Sequence, residues 1–118
     1  MYKRQIEAAE DLLELFAEPF HFGCEADDPM NARAFDDRSN PLKARFKAVF
    51  SSDIGHWDVP DMLDVLGEAW ELVEEGHLGE ADFRSFVFDN PVSLWCGNNP
   101  DFFEGTAVEG AVRTQLAS

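Results

Sequence analysis

Ala48-Val49-Phe50-Ser51-Ser52-Asp53-Ile54-Gly55-His56-Trp57-Asp58-Val59-Pro60 reads as a short buried strand that ends in a carboxylate, turns through Gly55 and launches a helix after Asp58. Parallel α/β proteins keep their chemistry at such a junction, because strand C-termini and helix N-termini converge there. The strand itself is expected over Lys47 to Ser52. Upstream, Phe20-His21-Phe22-Gly23-Cys24 reads as a second short strand, followed at once by Glu25, Asp27 and Asp28. Before it, Ile6, Ala9, Leu12, Leu13 and Phe16 recur at helical spacing, so Ile6 to Ala17 is expected to be a one-sided surface helix that Pro19 stops. Between the strands lie a helical turn around Met30 to Phe35, a loop over Asp36 to Pro41, and a helical or extended lead-in from Leu42 to Phe46.

Downstream, Pro60 in a first turn with Asp61 and Asp64 near the positive end of the dipole predicts a helix from Asp58 or Val59. Met62, Leu63, Leu66, Ala69, Trp70 and Val73 would form its apolar face, and Gly76 its C-terminal cap. A helix is expected from about Glu80 to Phe88, burying Phe83, Phe86 and Val87. Asn90-Pro91 reads as a new cap and first-turn proline for a short helix with Val92, Leu94 and Trp95, ended by Gly97. The tail from Asn98 is expected to be irregular or weakly extended around Thr106 to Val108.

Two strands separated by a long connection point to parallel pairing with a crossover. A parallel sheet covered on both faces needs more than two strands, so the pair reads as part of a larger sheet. Residues 1–5 stand outside the pattern. Tyr2-Lys3-Arg4-Gln5 is what one frame of a common transposase sequencing adapter encodes. A non-native leader is therefore expected over residues 1–5, with the gene continuing upstream; a genuine basic leader is the alternative.

The 118 residues suit one domain with a modest core, and 45% hydrophobic content with eleven Phe and three Trp argues for a folded chain. Acidic residues number 24 against 9 basic, a formal charge of −15. Phosphate backbones and anionic membranes need Lys/Arg patches that this composition lacks, so neither nucleic acid nor membrane is an expected partner. No apolar run approaches the roughly 18–20 residues of a span, and no signal peptide is visible. Cys24 and Cys96, far apart and without CxxC spacing, are expected to be reduced, buried thiols of a cytoplasmic protein.

Among candidate site residues, Asp53 follows a buried strand, with Ser51 and Ser52 before it and His56 three residues on. It fits a metal ligand or general base at the strand end; the residues alone favour a carboxylate bonding its own turn. Glu25, Asp27 and Asp28 would share that rim, as a site for a hard cation or as a solvated loop. His21 reads as a wall histidine and His77 as a surface residue after the Gly76 cap. HxH, HExxH, CxxC, P-loop and GxSxG patterns are absent from the sequence.

Phe22-Gly23-Cys24-Glu25-Ala26-Asp27-Asp28-Pro29, then Ser52-Asp53 with His56 and Val59-Pro60, then Asp82-Phe83 through Asn90-Pro91-Val92-Ser93-Leu94-Trp95, resemble the C-terminal part of an amidohydrolase-related protein. The similarity runs from about Ile6 to Val108 and is to the metal-dependent hydrolase and decarboxylase branch of that superfamily, whose members are (β/α)8 TIM barrels. In those barrels the last strand ends in a Ser/Thr-Asp pair with a His three residues later, and the closing helix carries an Asn-Pro or Asn-Ala step. The resemblance implies an α/β fold: the last two strand-helix units and closing helices of a barrel, over residues 6–118, incomplete in this chain. It implies Asp53 as the catalytic, metal-binding aspartate and His56 as a substrate-binding residue at the pocket rim. It implies a divalent metal, zinc by preference, and a small-molecule substrate in the parent protein. The family's HxH strand and mid-barrel histidine have no counterpart here, so the 118-residue chain is expected to be inactive alone. The alternative is a small acidic protein-binding domain without catalysis. Substrate, and oligomeric state including a homo-oligomer, stay open.

Overall fold

The computed structural model describes residues 6–118; the expected leader over residues 1–5 lies outside them. The chain is mixed α/β. Strand β1 (His21–Glu25) and strand β2 (Lys47–Ser51) pair in parallel, with Phe22 opposite Ala48 and Cys24 opposite Phe50. Each strand lies within a residue of the span that its pattern predicts. The crossover between them holds a 3₁₀ turn (Pro29–Asn31), helix α1 (Ala32–Phe35) and a second 3₁₀ turn (Pro41–Lys43). Its start is pinned twice. The Asp28 carboxylate accepts from the Met30 N–H at 2.8 Å, and the buried Asn31 side chain donates to the Glu25 carbonyl at 2.6 Å.

Directly paired residues of a parallel sheet project from one face. Cys24, Ala48 and Phe50 meet Phe35, Leu72, Leu78 and Phe86 in the main core. Phe86 is fully buried, with Phe50 edge-on at 5.9 Å and Phe35 at 6.4 Å between ring centres. The opposite face carries Gly23 and Val49. Gly23 is exposed and a Cβ built on it would meet nothing, while Val49 is only half-buried. One face of the pair is therefore packed and the other is open.

Near the N-terminus the expected surface helix forms only in its second half. Turns at Ala8 to Glu10 lead into helix, and Leu13–Ala17 adopts a wide π-type turn. Helix α2 (Val65–Glu74) begins later than the Pro60 signal predicts. From Asp53 to Asp64 the chain makes successive turns instead. The His56 N–H bonds the Asp53 carbonyl at 3.0 Å, and the Val59 N–H bonds the His56 carbonyl at 3.2 Å. Val59 precedes a proline and is biased away from helical geometry. Asp61 then takes the Leu63 N–H at 2.9 Å on its side chain, in competition with a helical bond. Met62 and Leu63 consequently point into solvent rather than extending the apolar face. Gly76 does end the helix. Its φ of 76° lets the His77 N–H reach the Leu72 carbonyl at 2.8 Å and its own N–H reach Val73 at 3.0 Å, a Schellman cap.

The two helices expected on either side of Asn90 are continuous. Helix α3 (Glu80–Arg84) runs through a π-type turn (Ser85–Asp89) into α4 (Asn90–Cys96). Asn90 has helical φ/ψ of −68° and −45°, so it is not a cap. A proline inside a helix lacks an N–H and crowds the carbonyl four residues back. The widened turn just before Pro91 relieves both conflicts. The Asn90 side chain instead donates to the Ala48 carbonyl at 2.7 Å and ties the helix to β2.

Thr106 to Val108 is irregular, as expected, and helix α5 (Glu109–Leu116), which no signal in the sequence announces, follows it. Val112 is buried against Val92 and Cys96, so tertiary packing holds a segment with weak local signal. Cys24 and Cys96 are free thiols; Cys96 is buried as expected, whereas Cys24 is only half-buried. Among the described residues no helix is long and apolar enough to cross a membrane. The molecule is open for its length: the radius of gyration is 16.1 Å, against about 13.5 Å for a compact domain of this size. Its surface of 8514 Å² exceeds by about 2,000 Å² the area usual for a monomer of this mass.

Candidate metal centre

β1 and β2 run out side by side with Glu25 opposite Ser51, so the residues after each strand share one rim. Asp53 there has a φ of 49°, a left-handed conformation that Asp tolerates better than most residues. The chain therefore reverses directly after the strand, and Gly55, at φ 103°, completes the reversal. The turn folds the His56 ring back over the strand end. Its Nδ1 lies 3.3 Å from Asp53 Oδ2 and 3.0 Å from Asp58 Oδ1, so a single N–H faces two carboxylates.

That geometry sets the electrostatics. The hydrogen bond that His56 donates to Asp58, then the charge of Asp53, raise the His56 pKa above its ordinary value, and Glu25 adds from across the rim. The whole cluster is open to water, with Asp53 half-buried and His56 and Asp58 exposed. Beside it, Glu25, Asp27, Asp53, Asp58 and Glu68 line a cleft of about 150 Å³. The sequence reading singles out Asp53 and His56, and the fold brings them together. Asp58, whose place before Val59-Pro60 predicts a helix start, joins them instead. The spacing Asp53-x-x-His56-x-Asp58, with Gly55 permitting the reversal, was the available signal for a third donor.

These residues suit a divalent cation in part. One donor atom from each of Asp53, His56 and Asp58 lies within 4.8 Å of the others. Two donors on a tetrahedral zinc at 2.0–2.1 Å stand about 3.3 Å apart. The separations of 3.0 and 3.3 Å from Nδ1 to the carboxylates are close to that spacing. Three protein donors are also the number found at open catalytic zinc sites. Against this, the raised His56 pKa means that a metal must displace a proton held by two carboxylates, and exposure leaves water competing for every position.

The other histidines lie apart from the cluster. His21 sits at the entry of β1, the opposite end of the strand from Asp53, with Nε2 2.8 Å from Ser93 Oγ. Partial burial, and then the Lys47 charge, push its pKa down. Its partly buried ring bonds helix α4 and takes no part in the Asp53 cluster. His77 completes the α2 cap, its ring 3.3 Å from the Glu75 carboxylate. Set against protein-family models, curated proteins and solved structures, the chain gives no match in any of the three.

Proposed function

We propose that this chain forms the C-terminal corner of a metal-dependent amidohydrolase-type enzyme, the last two strand-helix units and closing helices of a (β/α)8 barrel. The observation that carries the reading is the shared rim. Two parallel strands end together, and the residue just past the second is a carboxylate in a left-handed turn with a histidine folded onto it. Ligand sites of parallel α/β proteins lie at such strand ends. The open sheet face at Gly23 and the excess surface support the reading as well, since neighbouring strands and helices would cover them.

In this reading Asp53 supplies one ligand to a divalent metal, zinc by preference. A metal of this kind lowers the pKa of water and polarises a carbonyl, for hydrolysis or a decarboxylation. Asp53 holds that position and accepts a proton there. His56, tethered by Asp58, presents its ring at the rim, where it contacts a small-molecule substrate. The remaining ligands come from strands that these residues do not include, so the 118-residue chain alone has no turnover. The compartment is the cytoplasm.

The DNA upstream tests the proposal first. A reading frame continuous with this one and encoding an HxH strand is the expected finding. The protein expressed with that segment should show metal-dependent turnover, and Asp53→Asn should lower it by about 100-fold or more. Tight stoichiometric zinc binding by the 118-residue chain alone, abolished by Asp53→Ala, would contradict the proposal, because it makes the site self-sufficient. A second reading, a small acidic protein-binding domain without catalysis, draws on the exposure of Trp57 and Leu63.

A further inference from the structure

The turns between β2 and α2 expose an unusual amount of apolar surface. Trp57 is 88% and Leu63 96% exposed, and Ile54, Met62 and Leu66 are at least half exposed. Single exposed apolar residues are ordinary, but a run of them on one short segment marks a contact surface. The same stretch has an extreme charge. Between Lys47 and Arg84 there is no lysine or arginine, while ten residues are acidic. Asp53 and Asp58 bracket Trp57, Asp61 and Asp64 bracket Met62 and Leu63, and Glu68 follows Leu66. Carboxylates thus alternate with the apolar anchors along the segment.

We propose that this surface docks a basic amphipathic helix of a partner protein, its apolar face on Trp57, Leu63 and Leu66 and its lysines or arginines on the surrounding carboxylates. Charge selects this occupant over the others. A second copy of the chain would bring the same acidic segment against this one, and like charges facing each other across an interface oppose association. An anionic membrane or a nucleic acid is repelled for the same reason. A cationic helix with apolar anchors gains from both components, as in helix-in-groove recognition. Trp57 suits the central anchor, because large rigid aromatics carry much of the binding energy at such contacts.

The test uses the full chain and two synthetic peptides of about 14 residues, roughly four helical turns. One is a Lys/Leu amphipathic helix; the other keeps every lysine and replaces each leucine with serine. The expected result is saturable one-to-one binding of the first peptide by calorimetry, with tryptophan emission moving to the blue. Binding of the lysine/serine peptide should be at least about tenfold weaker, and Trp57→Ser and Leu63→Ser should each weaken the first peptide about tenfold. Both positions are almost fully exposed, so circular dichroism should be unchanged in the variants. Equal binding of the two peptides, binding unaffected by both substitutions, or no saturable binding overturns the proposal. So does a dimer of the chain in sedimentation that Leu63→Ser dissolves, since it assigns the surface to a second copy. Asp53 and Asp58 belong to both features, but Trp57 and Leu63 are not among the donors of the Asp53 cluster, so their substitution tests this surface separately from the metal.

Discussion

His56 is held by a backbone decision made three residues earlier. Because Asp53 adopts a left-handed φ, the ring is returned to the strand end and meets two carboxylates through one nitrogen. Its pKa in the folded protein is therefore raised, first by the Asp58 hydrogen bond and next by the Asp53 charge. A raised folded pKa means that the protonated form stabilises the fold. The contribution is fully present below the unfolded value of about 6.5 and fades as pH rises through the folded value. In a proton NMR titration, His56 should titrate above His21, whose pKa is pushed down by partial burial and Lys47. Asp58→Asn should lower the His56 midpoint more than Asp53→Asn does. His56 titrating at or below His21 would show that the ring is not held between the carboxylates. Asp53 and His56 were legible as a pair from their spacing alone. Asp58 was not, because the same Asp before Val59-Pro60 is also a standard helix-start signal.

Two of the helix ends show how local and tertiary signals divide. Gly76 was legible because a left-handed residue after an apolar helix has one obvious occupant, and the Schellman bonds to Leu72 and Val73 follow from its φ. Asn90-Pro91 misled for a physical reason. The pair is a good helix start in isolation, but the π-type turn at Ser85–Asp89 absorbs the proline and carries the helix through. No local rule announces that widening. The delayed start of α2 comes from local competition by the Asp61 side chain, and the helix at Glu109–Leu116 from tertiary burial of Val112. Two substitutions separate these cases. Gly76→Ala forces a Cβ into the left-handed region and should cost about 1 kcal/mol. Asn90→Ala leaves the Ala48 carbonyl without its side-chain donor and should cost about 1–2 kcal/mol. Urea unfolding curves measure both. An Asn90→Ala variant as stable as the parent would mean that the contact with β2 is replaced by water at no loss.

At the level of the whole molecule, charge and openness act together. A formal charge of −15 is spread over a body of 48 × 34 × 28 Å that leaves one sheet face uncovered. At about 0.01 M salt the Debye length is about 30 Å, comparable to those dimensions, so most carboxylates repel one another across the molecule. At about 1 M it is about 3 Å and only neighbours interact. Unfolding lets like charges move apart, so self-repulsion weakens the folded state most at low salt. The few ion pairs oppose this trend weakly. Arg33–Asp36 and Arg113–Glu109 are largely exposed pairs, worth little and lost on screening. The balance favours repulsion because 24 acids face only 9 bases. Raising sodium chloride from about 0.01 to 0.5 M at neutral pH should therefore raise the melting temperature by several degrees, equivalent to about 1 kcal/mol for a domain near this length. Differential scanning calorimetry at fixed pH reads this directly. A melting temperature that stays level or falls over that range would mean that the Arg45–Asp82, Arg84–Asp89 and Arg113–Glu109 pairs contribute more than the repulsion removes.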